Sequence, residues 1–472
     1  SVDGVLLAAE DVELMSTALM YFAKALQDGA DYAVCNAVFG FGGATALYQS
    51  QPLQAQNRCA VVSRTLLERC RAAAHDPENV PELLALAAQL CTRPTLIPQA
   101  LLHYERGICA EDAFSAHGKR AFIMSHVLDM TGAPIVLVSA VPVLRSMGYE
   151  VLVLGPSDGG SLHLFLDAGA SVITRSSCRN VSDAWGMALC ADFVIVNTVV
   201  MARAVRALSG TAVPVLWWLH DAFAGYPHIA HQIPTQLGEN VRVYSVGSHA
   251  ANAMHAVRPE FEIRPLIYGL PDYAAENFVR TDLGYNRGRP LFATVGSFER
   301  RKGHDIFCKA IRLLPPEVRE KASFLFVGQA ADKEMMDSVR TLTADYPENV
   351  FYCKRLTRDE IKSLMEQCTG LVCASRDDPM PTFVTEGLIF GKPSIVSEHT
   401  GTAGLISEGR NGFVYHNDDP QQLAVLLEHA IEHPEELASM RTECRKMYEQ
   451  YYSKEAFEQT LRAAVEDLTA KK

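Results

Sequence analysis

The stretch from Leu371 to Ser397 leaves few folds open to this chain. Leu371, Val372 and Cys373 form a short apolar strand. Ser375-Arg376-Asp377-Asp378-Pro379-Met380-Pro381 cannot continue it, because it carries two prolines and two adjacent carboxylates. Thr382 is placed to cap a helix whose first turn holds Glu386. Gly391 ends that helix, and Pro393-Ser394-Ile395-Val396-Ser397 is the next strand. Strand, loop, helix and strand in this order belong to a parallel sheet, whose helix N-termini offer N–H groups to an anion. Asp378 and Glu386 have seven residues between them. Beside a phosphate two carboxylates would repel it, so they suit neutral hydroxyls such as those of a ribose or a sugar. A nucleotide sugar has both parts. Taken alone, the carboxylate pair would also fit an ordinary capped surface helix.

From Arg120 onward strands alternate with helices, the pattern of a doubly wound parallel sheet. Ala121 to Ser125 is a strand, His126 to Ala133 a loop, and Pro134 the first residue of a helix running to Met147. Gly148 precedes a strand from Glu150 to Leu154. The G-x-G-x-x-G fingerprint of dinucleotide binding is missing here, which argues against NAD as the ligand. Strands follow at Phe193 to Val196 and Val213 to Leu219, the second ending in Trp217-Trp218-Leu219-His220-Asp221. His220 thus stands at the carboxyl end of a strand, where open sheets bind ligands. A structural histidine held in a turn is the other reading. Val241 to Val246 closes the first sheet, and a hinge is expected between Pro265 and Pro290.

The next strand, Leu291 to Val295, runs into Gly296-Ser297-Phe298-Glu299-Arg300-Arg301-Lys302-Gly303. Three consecutive cations between a strand and a helix can neutralise a pyrophosphate, although a solvated basic loop would look alike. The net charge of −12 argues against broad nucleic-acid binding and requires any anion to find such a local pocket. Strands at Phe324 to Gly328 and Val350 to Cys353 continue the sheet.

The whole sequence has 472 residues, enough for about three domains. Twelve cysteines without a C-x-x-C pair favour free thiols in a reducing cytoplasm over disulfides or zinc. No apolar run reaches the ~18–20 residues that span a bilayer, which leaves peripheral membrane association open. The chain opens with Ser1 rather than Met, as a piece of a longer chain would.

Asp378, Glu386 and the Gly391-Lys392-Pro393 turn, in register with Pro379 and Pro381, resemble the signature of retaining glycosyltransferases of family 4, which have the GT-B fold. In that family the first carboxylate is a Glu; Asp378 is one methylene shorter. The resemblance runs over about residues 120 to 470. It implies two Rossmann-like domains facing a cleft, at 118–272 (acceptor side) and 273–452 (nucleotide sugar), with a C-terminal helix at 453–472 crossing back to the first. It implies transfer of a hexose or deoxyhexose from a nucleotide diphosphate sugar to a glycan or lipid-linked acceptor, with retention and without a metal ion or other cofactor. Surface polysaccharide synthesis at the inner face of the membrane is the setting it suggests. His220, Asp378 and Lys302 would be catalytic. Gly132, Ser297, Arg300, Arg301, Lys302, Asp378, Thr382, Phe383 and Glu386 would bind the donor, Glu386 at the ribose. Many family members have an Arg where Ser297 stands, so Arg300 or Arg301 must supply that charge. A nucleotide-sugar epimerase and a non-catalytic scaffold are the alternatives.

Residues 1–117 read as a mixed or mainly helical, non-catalytic module, a place for self-association or for joining a larger assembly. Residues 1–117, which begin with Val5 to Leu14 as a strand running into an acidic turn, faintly resemble the second half of a family 2, GT-A glycosyltransferase. However, Ala8 and Glu10 fall where the acidic pattern would be, and the nucleotide-binding half is missing.

Overall fold

The computed structural model describes residues 4–8, 13–14, 18–40, 45–49, 59–73, 80–104, 118–175, 178 and 185–470. These residues form two sheets. The first has β1 (Gly4–Ala8), β2 (Glu13–Leu14), β3 (Tyr32–Gly40), β4 (Thr45–Gln49), β5 (Cys59–Ser63), β6 (Pro94–Tyr104), β7 (Lys119–Met124), β8 (Tyr149–Gly155), β9 (Ser171–Arg175), β10 (Phe193–Asn197), β11 (Val215–Leu219), β12 (Val241–Ser245) and β13 (Ile263–Pro265). Its order is β1-β5-β3-β4-β9-β8-β7-β10-β11-β12-β13, with β6 beside β3 and β2 beside β6. The second has β14 (Leu291–Val295), β15 (Ser323–Val327), β16 (Val350–Cys353), β17 (Gly370–Cys373), β18 (Ser394–Ser397) and β19 (Gly412–Tyr415), in the order β16-β15-β14-β17-β18-β19. All its pairs are parallel. The second sheet, and the β9-β8-β7-β10 run of the first, have the parallel α/β character expected from alternating strands and helices, whereas β1, β4 and β5 pair antiparallel.

The chain divides into two compact units. The first holds residues 1–217, 232–242 and 464–472; the second holds 218–231 and 243–463. In the first unit β7, β8, β9 and β10 are parallel neighbours and fully or mostly buried, as strands covered on both faces must be. The helix after β7 spans Gly132–Ser146, two residues earlier than Pro134 suggested. Pro134 sits inside the first turn, where its missing N–H has no acceptor to lose.

The N-terminal module is mixed, and its strands are not a separate sheet. β4 pairs antiparallel with β9, Thr45 opposite Arg175 through Tyr48 opposite Val172, so the sheet runs on without interruption. Helices Ala18–Gln27, Arg64–Ala73 and Val80–Leu90 cover it through two apolar clusters, one around Phe22 and one around Leu66 and Leu84. Of the two positions weighed for an acidic strand end, Ala8 closes β1 and Glu10 lies outside the described residues.

In the second unit β13 adds a strand beyond β12, which sequence reading had as the sheet's last. Trp217 and Trp218 in β11 are fully buried, their indole N–H groups donating to the Thr198 and Leu266 carbonyls. They are core residues. The last helix, Lys454–Thr469, packs Phe457 on Trp218 in the second unit. Its final residues belong to the first unit, where Thr469 lies near Tyr149. Among the described residues no helix is long and apolar enough to cross a membrane. Among the described residues ten cysteines are free thiols.

Candidate functional site

β14 and β17 are adjacent parallel strands, so the segments that follow them leave the same edge of the sheet. After β14, Arg300–Lys302 forms one 3-10 turn, closed by Gly303 at φ 66°. A Cβ on Gly303 would stand 1.8 Å from the Ala374 carbonyl oxygen, so only glycine lets this turn lie against the end of β17. The backbone then interlocks: the Arg376 N–H donates to the Arg301 carbonyl at 2.7 Å, and the Arg376 guanidinium to the Arg300 carbonyl at 2.9 Å.

The contact brings the basic turn onto the acidic loop. Lys302 Nζ lies 2.6 Å from Asp378 Oδ2, and the Asp378 side chain is only 4% exposed. The Ser375 hydroxyl and the Met380 N–H complete the carboxylate's partners. Arg301 grips both oxygens of Glu299, at 3.1 and 3.2 Å, and reaches toward the Asp377 carbonyl. Ser297 donates to Glu299 at 2.5 Å. Burial alone would push the Glu299 carboxyl up, but the Ser297 hydroxyl and the Arg301 guanidinium hold it below the ordinary range. Arg300 is exposed, and its side chain has no ion pair among the described residues. Ser297 therefore faces a carboxylate, and Arg300 is the free cation of the turn.

The helix after the acidic loop spans Thr382–Ile389. Pro381, not Thr382, occupies its cap position, and no side chain caps it. Thr382 is instead the first helical residue, exposed, with its hydroxyl 3.4 Å from that of buried Tyr268. Glu386 falls in the second turn rather than the first, and Phe383 is buried beneath the helix start. The difference follows from Pro381, whose fixed φ of −72° already suits a helix entrance. Glu386 is paired with Arg358 at 2.6 Å, and Arg358 lies over the Tyr273 ring at 4.1 Å.

Gly391 lies in the left-handed region, φ 70°, just past this helix. Lys392 next to it donates to the carbonyls of Glu366 and Cys368, capping the end of the Arg358–Gln367 helix. Its role is structural. Gly401 is the second glycine that a close approach requires: a Cβ there would stand 1.7 Å from the Pro379 carbonyl oxygen.

His220 follows β11, its ring 4.7 Å from that of Trp218. It belongs to the second unit with Lys302, Asp378 and Glu386; Gly132 belongs to the first, where it opens a helix and a Cβ on it would meet open space. Four residues with a clear place in the site escaped sequence reading: Arg376, Asp377, His249 and Arg358. Arg376 makes a two-pronged pair with Asp305, both contacts 2.8 Å, and a second pair with Asp418. Asp377 and Arg376 stood in the same motif as Asp378. Only their partners, far away in sequence, were invisible.

Two family models match the chain: "Glycosyl-transferase family 4" over residues 117–260 and "Glycosyl transferases group 1" over residues 276–447. The chain belongs to the GT-B glycosyltransferases. Its GT-B fold is also that of Anabaena HepE in complex with UDP, at TM-score 0.59 and 18% identity, covering 74% of this chain and all of that one. WaaG, a glycosyltransferase involved in lipopolysaccharide biosynthesis, aligns at TM-score 0.56 and 17% identity over 74% of this chain and 99% of its own. Among curated sequences, an uncharacterized glycosyltransferase of Methanocaldococcus jannaschii is 26% identical over 41% of this chain and 53% of its own length. Spore coat protein SA of Bacillus subtilis is 27% identical over 32% of this chain and 41% of its own. The chain thus spans about half or less of the curated relatives it matches.

Proposed function

We propose that this GT-B chain transfers a sugar from a nucleotide diphosphate sugar to a carbohydrate or lipid-linked acceptor, retaining anomeric configuration. The observation that carries the reading is the 2.6 Å pair between Lys302 and Asp378 at the ends of adjacent parallel strands. It sets a cation for the diphosphate beside a carboxylate for the sugar hydroxyls. The complexes of HepE with UDP and with UDP-glucose support a uridine nucleotide as the first donor to try.

Lys302, Arg301 and the exposed Arg300 take up charge as the glycosidic bond breaks, and the first N–H groups of the Thr382–Ile389 helix add to them. A diphosphate must compete with Asp378 for Lys302 and with Glu299 for Arg301, which couples donor binding to a rearrangement of both pairs. Asp378 then turns to the sugar hydroxyls, Glu386 to the ribose, and His220 to the transferred sugar or acceptor. These side chains supply the charge stabilisation without a metal ion.

The test is calorimetry with a panel of nucleoside diphosphates and their sugars, followed by NMR of the product's anomeric configuration. A non-catalytic scaffold binds none of the panel. An epimerase converts the donor without any acceptor, and inversion at the anomeric carbon overturns the retaining assignment.

A further inference from the structure

Asp377 and Asp378 are neighbours that serve different partners. Asp378 turns to Lys302, whereas Asp377 accepts three hydrogen bonds from elsewhere in the second unit. Its Oδ1 takes the Phe223 N–H at 3.1 Å and lies 2.7 Å from His249 Nε2; its Oδ2 takes the Ala224 N–H at 2.8 Å. The two side chains are 13% and 4% exposed. The Phe223 ring packs on His249, centroids 5.1 Å apart, and stacks on His399 at 6.5 Å. Phe223 and Ala224 lie just past His220 on the segment that leaves β11.

Phe223 and Ala224 open a 3-10 turn, Phe223–Gly225, so their N–H groups have no acceptor within it. Here both end on a single carboxylate, and that carboxylate is bonded along the chain to the residue facing Lys302. We infer that Asp377 and His249 form a latch that fixes the His220 segment to the donor loop, making both positioning residues for the transfer step. The inference rests on the glycosyl-transfer reading of this site. Donor binding through Lys302, Asp378 and Glu386 does not need the latch; alignment of His220 with the bound sugar does.

Asp377→Asn keeps the shape but sets an NH2 group against at least one of the three donors. It should leave the donor dissociation constant within about threefold of the natural chain while kcat falls about tenfold or more, the scale of one charge-assisted hydrogen bond. His249→Gln, whose amide nitrogen can donate from the Nε2 position, should keep most of the turnover, and His249→Leu should lose it. The double variant Asp377→Asn/His249→Leu should be no worse than the poorer single one, since both break one latch. Turnover of Asp377→Asn within about twofold of the natural chain overturns the latch. So does a parallel loss of donor affinity, kcat and Tm that His249→Gln fails to spare. Hydrogen exchange over residues 221–226 reads the latch without substrate. Unchanged exchange in Asp377→Asn overturns it, whereas a natural chain that binds no nucleotide sugar overturns only the proposed function.

Discussion

The Glu386 carboxylate is held by Arg358 at 2.6 Å across 28 residues of sequence, with the Glu386 side chain 10% exposed and the Arg358 side chain 48% exposed. Arg358 in turn lies over Tyr273. A carboxylate has two oxygens and about four lone-pair directions, so one guanidinium contact leaves room for a ribose diol. Arg358 thus orients Glu386 from one side.

Glu386→Gln should weaken nucleotide binding about tenfold, as loss of a hydrogen bond to a charged group does. It should also lower Tm slightly, because Arg358 loses its ion pair. Arg358→Ala should cost less affinity than Glu386→Gln, since the acceptor oxygens remain. Calorimetry with the donor nucleotide and a thermal scan check both, and unaltered affinity in both variants excludes Glu386 from the ribose.

Lys302→Ala should lower turnover more than it raises the donor's KM. Charge on the diphosphate grows as the glycosidic bond breaks, so the interaction strengthens toward the transition state. Charge-assisted hydrogen bonds contribute about 1.5–3 kcal/mol each, or about 10- to 150-fold. The same substitution leaves Asp378, nearly buried, without its cation. If both Lys302→Ala and Arg301→Ala keep natural turnover at saturating donor, the basic turn is only surface.

His304 opens the helix behind the basic turn, buried against Phe298 with centroids 4.4 Å apart. Burial, then the neighbouring Lys302 charge, push its pKa down to about 3. In the unfolded chain it titrates near ~6.5, so on acidification the unfolded state takes the proton first. The stability it allows is therefore full above ~6.5 and declines as pH falls toward the folded value. Carboxylates held low, such as Glu299 and Asp305, lose their contributions only below the ordinary carboxylate range near ~4. Between those limits the slope of Tm against pH should flatten in His304→Phe, and an equal slope refutes the assignment.

Sugar transfer should persist in EDTA, because cationic side chains and helix N–H groups are assigned the role a metal would otherwise play. Loss on chelation that manganese restores would point to the N-terminal module as the catalytic element instead.

Removing residues 1–117 should leave nucleotide binding intact but make the chain aggregate. β4 covers the edge of β9 through four residue pairs from Thr45 to Tyr48, and an uncovered edge strand templates association. Light scattering and donor calorimetry on residues 118–472 separate the two effects. A folded, soluble 118–472 chain that binds no donor used by the whole chain places the chemistry elsewhere.

The sequence by itself determined the parallel α/β class, the strand positions from Arg120 onward and the motif from Asp378 to Glu386. These follow from local physics. Apolar runs of strand length, glycines at helix ends and prolines in loops act within a few residues. Leu291–Val295 and Val350–Cys353 were legible to the residue because nothing distant competes with their apolar, β-branched or aromatic composition. Element ends were less legible. Thr382 is a good cap by type, but Pro381 takes that position. Val241–Ser245 looked like the last strand of its sheet because Ile263–Pro265, only three residues long, carries too short a pattern to be seen.

Tertiary structure alone decided who pairs with whom. Lys302 and Asp378 are 76 residues apart, Asp377 and His249 128, and Phe223 and Asp377 154. A charged or polar side chain looks the same in sequence whether water or a carboxylate will satisfy it, so periodicity carries no record of its partner. The same holds for β4 and β9, since strand pairing is set by backbone groups that every residue shares. Chain composition made the sheet, and three-dimensional closure chose which of its loops hold the site.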